Sequence, residues 1–156
     1  MHLCRLPSLL LAALLALSTC CSTLLADDRS SRYVRQLPGS DIVIVFVHGV
    51  LGDSETTWGT GKAYWPFMLF GDSTFDGSDI FVYSYPTSMW ASQSPDELAE
   101  DMRVQLNAYG VSDHRRIVFL AHSMGGLITR AFLVKNRAVA ERTTLLFGAP
   151  GPLQGR

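Results

Sequence analysis

Cysteine is missing from every position after residue 21, since Cys4, Cys20 and Cys21 are the only three in the chain. The folded part beyond them carries no disulfide and no thiolate metal site. Histidine is scarce as well: only His2, His48, His114 and His122 occur, and no pair stands at H-x-x-x-H or H-E-x-x-H spacing. Neither a bound metal nor a cofactor is expected. An excess of one charge is also lacking, because 13 basic and 14 acidic residues leave a formal net charge of −1. The charges are interspersed, which describes an ordinary solvated surface. Nucleic acid and anionic membrane are thereby excluded as electrostatic partners.

Long apolar runs are lacking too, none reaching the ~20 residues that span a bilayer. Residues 9–17 are all Leu or Ala, follow the single positive charge of Arg5, and lead into small residues. Residues 1–26 therefore read as an export signal, cleaved after Ala26 or near Ser22, and the protein as secreted or periplasmic. Leu17, Ser18, Thr19 and Cys20 resemble a bacterial lipobox, which leaves a lipid-anchored lipoprotein as the alternative. Membrane contact is expected only through such a signal or anchor. The 156 residues allow one domain at most. Residues 27–40 are polar with a turn at Pro38-Gly39, and read as a linker or as an edge strand at Tyr33 and Val34. Residues 41–156 remain for the domain.

What is present is a regular alternation. Residues 42–47 are continuously apolar and β-branched, as in a strand buried on both faces. Residues 62–70 hold a helix whose Tyr64, Trp65, Phe67 and Met68 are expected to pack under the sheet. Residues 79–85 form the next strand, stopped by Pro86. Ser94, Pro95 and Glu97 then spell a helix start, with Ser94 as N-cap and Glu97 completing a capping box. Leu98, Met102, Leu106 and Tyr109 share one face of that helix, and Gly110 ends it. Residues 117–121 are a strand, residues 124–135 a helix burying Leu127, Ile128, Ala131 and Phe132, and residues 143–147 a last short strand. This order predicts an α/β architecture of three layers, a parallel sheet with helices on both faces.

Two strand ends carry the chemistry. After 117–121 come His122, Ser123, Met124 and Gly125, with Ala121 and Gly125 small on either side of the serine. A strand running straight into a helix through such a turn is how a nucleophile elbow looks in sequence. The turn exposes the Ser123 hydroxyl and aims the Met124 amide at the place where an oxyanion forms. After 42–47 come His48, Gly49, Val50, Leu51 and Gly52, whose glycines let the backbone turn tightly and bring an amide to the same edge. His48 precedes the serine in the chain, so it reads as a residue that holds this loop in shape rather than as a base. Leu51, Trp58 and Trp90 are candidates for the walls of a substrate pocket. Asp113-His114 precedes the serine strand and is expected at the opposite edge of the sheet.

With His48-Gly49 and the Ala121–His122–Ser123–Met124–Gly125 stretch at strand ends, the chain resembles the α/β-hydrolase superfamily. It is most similar to the lipase and serine-esterase branch, which includes inositol-deacylase-like proteins. The resemblance implies Ser123 as nucleophile, the Val50 and Met124 amides as oxyanion hole, and His48, Gly49, His122 and Gly125 in support. The implied substrate is an ester or lipid-like small molecule, hydrolysed through an acyl-enzyme without a cofactor. In that family the acid and the histidine follow the serine in order. After Ser123 this sequence has no histidine, and its one carboxylate is Glu141. It is accordingly expected to be the N-terminal half of such a hydrolase, cut after the strand that follows the serine helix. A catalytically inactive remnant or a binding module is the alternative, and acyl transfer to an acceptor other than water stays open.

Overall fold

A computed structural model describes residues 30–87 and 93–148. Its strands are Arg32–Arg35 (β1), Ile42–Val47 (β2), Ser78–Tyr83 (β3), Arg116–Ala121 (β4) and Thr143–Phe147 (β5). They form one sheet in the order β1-β3-β2-β4-β5. β2 lies between β3 and β4 and is parallel to both, with Val47 level with Tyr83 and Ala121 at the carboxyl edge. β5 continues in parallel beyond β4, whereas β1 runs antiparallel to β3. The parallel core is as the alternation predicts, and the Tyr33–Val34 stretch adds an antiparallel edge that makes the sheet mixed.

The helices are Trp65–Phe70 (α1), Pro95–Ala108 (α2), Met124–Lys135 (α3) and the single turn Arg137–Ala140 (α4). Successive strand residues point to opposite faces, so an unbroken apolar strand feeds two cores. Val43, Val45 and Val47 face α2 and α3 together with Phe81, Phe119, Leu98, Met102 and Phe132. Ile44 and Phe46 face the other way, with Ile80, Val82, Trp58 and Tyr64. Helices thus cover both faces. α2 begins with a complete capping box, the Ser94 hydroxyl accepting from the Glu97 amide while the Glu97 carboxylate accepts from the Ser94 amide at 2.7 Å. Gly110, at φ +71°, supplies the left-handed residue that ends the helix.

Some expected packing differs. Leu127 stands exposed on α3, and Gly125 and Thr129 take the buried face beside Ile128 and Phe132. Phe67 and Met68 are likewise exposed on α1, because a helix of six residues presents only one face to the sheet, occupied at Trp65 and Leu69, with Tyr64 buried just ahead of it. The export-signal region with its cysteines, Met89, Trp90 and the turn-rich exit after Gly148 lie outside the described residues. Among the described residues no helix is long and apolar enough to cross a membrane, and no metal-binding cluster of His, Cys, Asp or Glu occurs.

Candidate active site

The connections decide where a site can form. From β2 the chain crosses to β3 over the α1 face, and from β4 it crosses to β5 over the α3 face, in opposite directions along the sheet. The carboxyl ends of β2 and β4 therefore flank a topological switch point, where open α/β sheets have their crevice. The two motifs found in sequence both lie there.

On the β4 side, Ser123 joins strand to helix at φ 51° and ψ −123°. A side-chain-bearing residue in that region stores of the order of 1–3 kcal/mol of strain. The strain turns the chain so sharply that Ser123 stands exposed, and its side chain does not cap the helix. Gly125 shows why the flank must be small: a Cβ there would lie 2.6 Å from the Val47 carbonyl oxygen and closer still to that of His48. Ala121 is fully buried on the other flank. The turn is tied down by the His122 amide on the Val47 carbonyl, and by the Gly125 and Gly126 amides on the carbonyls of His122 and Ser123, each at 3.0 Å. The Met124 amide, first in α3, makes no bond among the described residues.

On the β2 side, Gly49 packs against this turn. A Cβ on it would come within 2.9 Å of the Ser123 Cβ and 3.0 Å of His122 Nδ1. Neither the Val50 nor the Met124 amide is bonded to a described backbone partner. Leu51 then adopts φ 61°, and it and Ser123 are the only non-glycine residues with positive φ among those described. The two strained positions sit on the two loops that meet through Gly49.

His48 is wholly buried, and its ring is fully committed. Nδ1 donates to the Gly49 carbonyl at 3.0 Å and Nε2 accepts from the Tyr85 amide at 3.3 Å, which fixes the neutral tautomer. Tyr85 stacks flat on the imidazole at 4.3 Å and donates its hydroxyl to the His48 carbonyl at 3.1 Å. Burial pushes the His48 pKa below the ordinary imidazole value and that of Tyr85 up to about 12. Neither group titrates toward a charged form near neutrality, so this pair positions the loop. Tyr85 was not singled out in sequence, because a contact 37 residues away leaves no local signal.

The other candidates are placed as follows. His122 is half-buried against Gly49, and its Nδ1 has no partner among the described residues. Trp58 is fully buried, edge-on to Phe46 at 5.0 Å, so it belongs to the core beneath the loop and is no open wall. Leu51 borders a cleft of about 650 Å3 that also involves Asp53, Tyr85, Thr87, Gln105 and Tyr109, and Ser123 is not among its lining residues. Trp90 lies outside the described residues. His114 sits at the amino edge of the sheet, its Nε2 2.9 Å from Asp79 Oδ2 and its Nδ1 3.1 Å from the Val111 carbonyl, away from Ser123 as expected. Glu141 is at that same edge, before β5, and is exposed.

Comparison with known proteins adds three findings. The family model described as "Alpha/beta hydrolase family" matches residues 44–155. Among curated proteins none matches. Among solved structures, the mature form of the Bacillus licheniformis lipase BlEst2 is similar at 16% identity and a TM-score of 0.48, over 75% of this chain and 45% of that one. The chain thus spans less than half the length of that lipase.

Proposed function

This chain belongs to the alpha/beta hydrolase family, and from that premise we propose that it is a serine-dependent carboxylic-ester hydrolase with Ser123 as nucleophile. The observation that carries the reading is the exposed, positive-φ serine at the switch point, set directly before the first residue of a helix. In the proposed reaction Ser123 Oγ attacks the ester carbonyl carbon and gives its proton to a general base. Charge gathers on the carbonyl oxygen, where the Val50 and Met124 amides donate to it. The alcohol leaves with a proton, and water then attacks the acyl-enzyme to release the acid and regenerate the hydroxyl.

Neither His48 nor His114 serves as that base in this reading. Both ring nitrogens of His48 are occupied by backbone groups, and His114 is paired with Asp79 at the far edge. No histidine follows Ser123 in these 156 residues, so this reading leaves the general base unassigned. The same observation favours the second reading, a module that binds in this crevice without turning over. A fluorophosphonate probe followed by intact mass and peptide mapping tests the first. Modification at Ser123 is expected, slowly without a base. Ser123→Gly should abolish it while raising thermal stability by about 1 kcal/mol, because glycine relieves the positive-φ strain. Absence of label on Ser123 would leave the binding module.

A further inference from the structure

The cleft of about 650 Å3 beside Leu51 is of the size that holds small molecules, and Ser123 takes no part in it. Its walls come from four separate stretches: the approach to β1, the loop after β2, the residues after β3, and α2. Ser31 fastens three of them together. Its hydroxyl oxygen accepts from the Ser84 amide at 2.8 Å, and the hydroxyl donates to Gln105 Oε1 at 2.7 Å. The second bond fixes the Gln105 side chain with its acceptor end toward Ser31, so its NH2 end is the part that donates to a ligand. Tyr109 is 41% exposed, and its ring is backed by Phe81 at 5.2 Å. The core thereby holds an aromatic surface at the cleft.

What the walls lack narrows the ligand. No Lys, Arg or His lines the cleft among the described residues, so a phosphate or carboxylate would meet no countercharge there. Asp53 is the one charged residue among them, and its Oδ1 accepts from the Glu55 amide at 2.8 Å, the Thr56 amide at 2.6 Å and the Thr56 hydroxyl at 3.0 Å. An ammonium group would compete with those bonds. A hydrocarbon chain would strip water from the Ser84 and Thr87 hydroxyls and the Gln105 amide without replacing its hydrogen bonds. We propose that this cleft binds a neutral carbohydrate of one or two rings, at a site separate from Ser123 and independent of the hydrolase reading. Sugar hydroxyls donate and accept at once, which is what a wall of hydroxyls and one oriented amide requires. The C–H face of the sugar ring lies on Tyr109, because the face of an aromatic ring is electron-rich. Tyr85 is too buried for that part, at 4% exposed.

Amide spectra of the full chain labelled with 15N test this without turnover. Glucose, mannose, galactose and maltose are titrated in turn, with inorganic phosphate and octanoate as contrasts. At least one sugar is expected to shift the Gly52, Ser84 and Tyr109 amides together with the Gln105 side-chain NH2, while phosphate and octanoate leave them in place. Tyr109→Leu, which keeps an apolar contact for Phe81, should weaken that sugar roughly fivefold. Gln105→Ala should do the same by removing one oriented donor. Each variant is scored once its own spectrum shows the fold retained, and the contrast between sugars, phosphate and octanoate decides without them. Four sugars without effect, shifts centred elsewhere, or phosphate or octanoate moving the same amides as strongly would each overturn the site. Unchanged affinity in both folded variants would overturn it as well. Labelling of Ser123 by a fluorophosphonate enters none of these outcomes, so the carbohydrate site and the hydrolase fail separately.

Discussion

At the scale of single residues, the site is built from groups that have given up their own freedom. Ser123 accepts a strained backbone, and Gly49 and Gly125 give up side chains that would collide with the facing loop. His48 gives up its charge. Its imidazole is buried with one nitrogen donating and the other accepting, so an added proton would have to displace the Tyr85 amide from Nε2. The sign of the pH dependence follows. Burial depresses the folded-state pKa, so on acidification the unfolded chain protonates first, near the ordinary value of about 6.5, and takes up a proton that the folded state refuses. The stabilisation is therefore complete above that value and is lost as pH falls through it toward the folded pKa. Melting temperatures of the protein and of His48→Gln between pH 8 and pH 5 should show the variant less stable at pH 8 but with a shallower decline. Parallel declines would mean that His48 contributes nothing to the pH dependence.

At the scale of elements, the amino edge of the sheet is held by one buried pair. Asp79 is the second residue of β3, and its carboxylate accepts from the Leu37 amide at 2.8 Å and from His114 Nε2 at 2.9 Å. The same imidazole reaches the Val111 carbonyl, and Arg142, ahead of β5, donates to the carbonyls of His114 and Ser112. One cluster thus ties together the turn after β1, β3, the approach to β4 and the approach to β5. With side chains 3% and 10% exposed, removal of either partner should cost about 3 kcal/mol, since the other is left buried without its side-chain partner. Chemical denaturation of Asp79→Ala, His114→Ala and the double variant should give a double-variant loss well below the sum of the two single losses. Simple additivity would show that the pair does not act as a unit. None of this cluster was legible in the sequence, where Asp113-His114 looked like a local pair and the true partner lies 35 residues earlier. The elements themselves were legible where local signals agreed: the β-branched run of β2, the capping box of α2 and the small residues around Ser123. The exposure of Leu127 was not, because helical spacing gives a face but does not reveal that Gly125 must occupy the point of closest approach to β2.

At the scale of the whole molecule, the two faces of the sheet are unequally covered. α2 and α3 pack against each other and shield the face of β2, β4 and β5 that carries Val45, Phe119 and Leu145. On the other face α1 touches β1 and β3, the half of the sheet away from β5. Val118 and Leu120 on β4 are only partly buried there, and Leu146 on β5, level with Leu120, is 48% exposed. The outer side of β5 pairs with no strand among the described residues. An apolar face running to an unpaired strand edge favours joining of like surfaces, through side chains and through the ladder's free amide and carbonyl groups. Sedimentation velocity across a hundredfold range of concentration should therefore show reversible self-association. Leu146→Lys, which places a charge at the centre of that face while leaving the packing of Leu145 untouched, should shift the distribution toward monomer without lowering the melting temperature. A protein that sediments as a monomer throughout the range would show that this face is satisfied within the single chain.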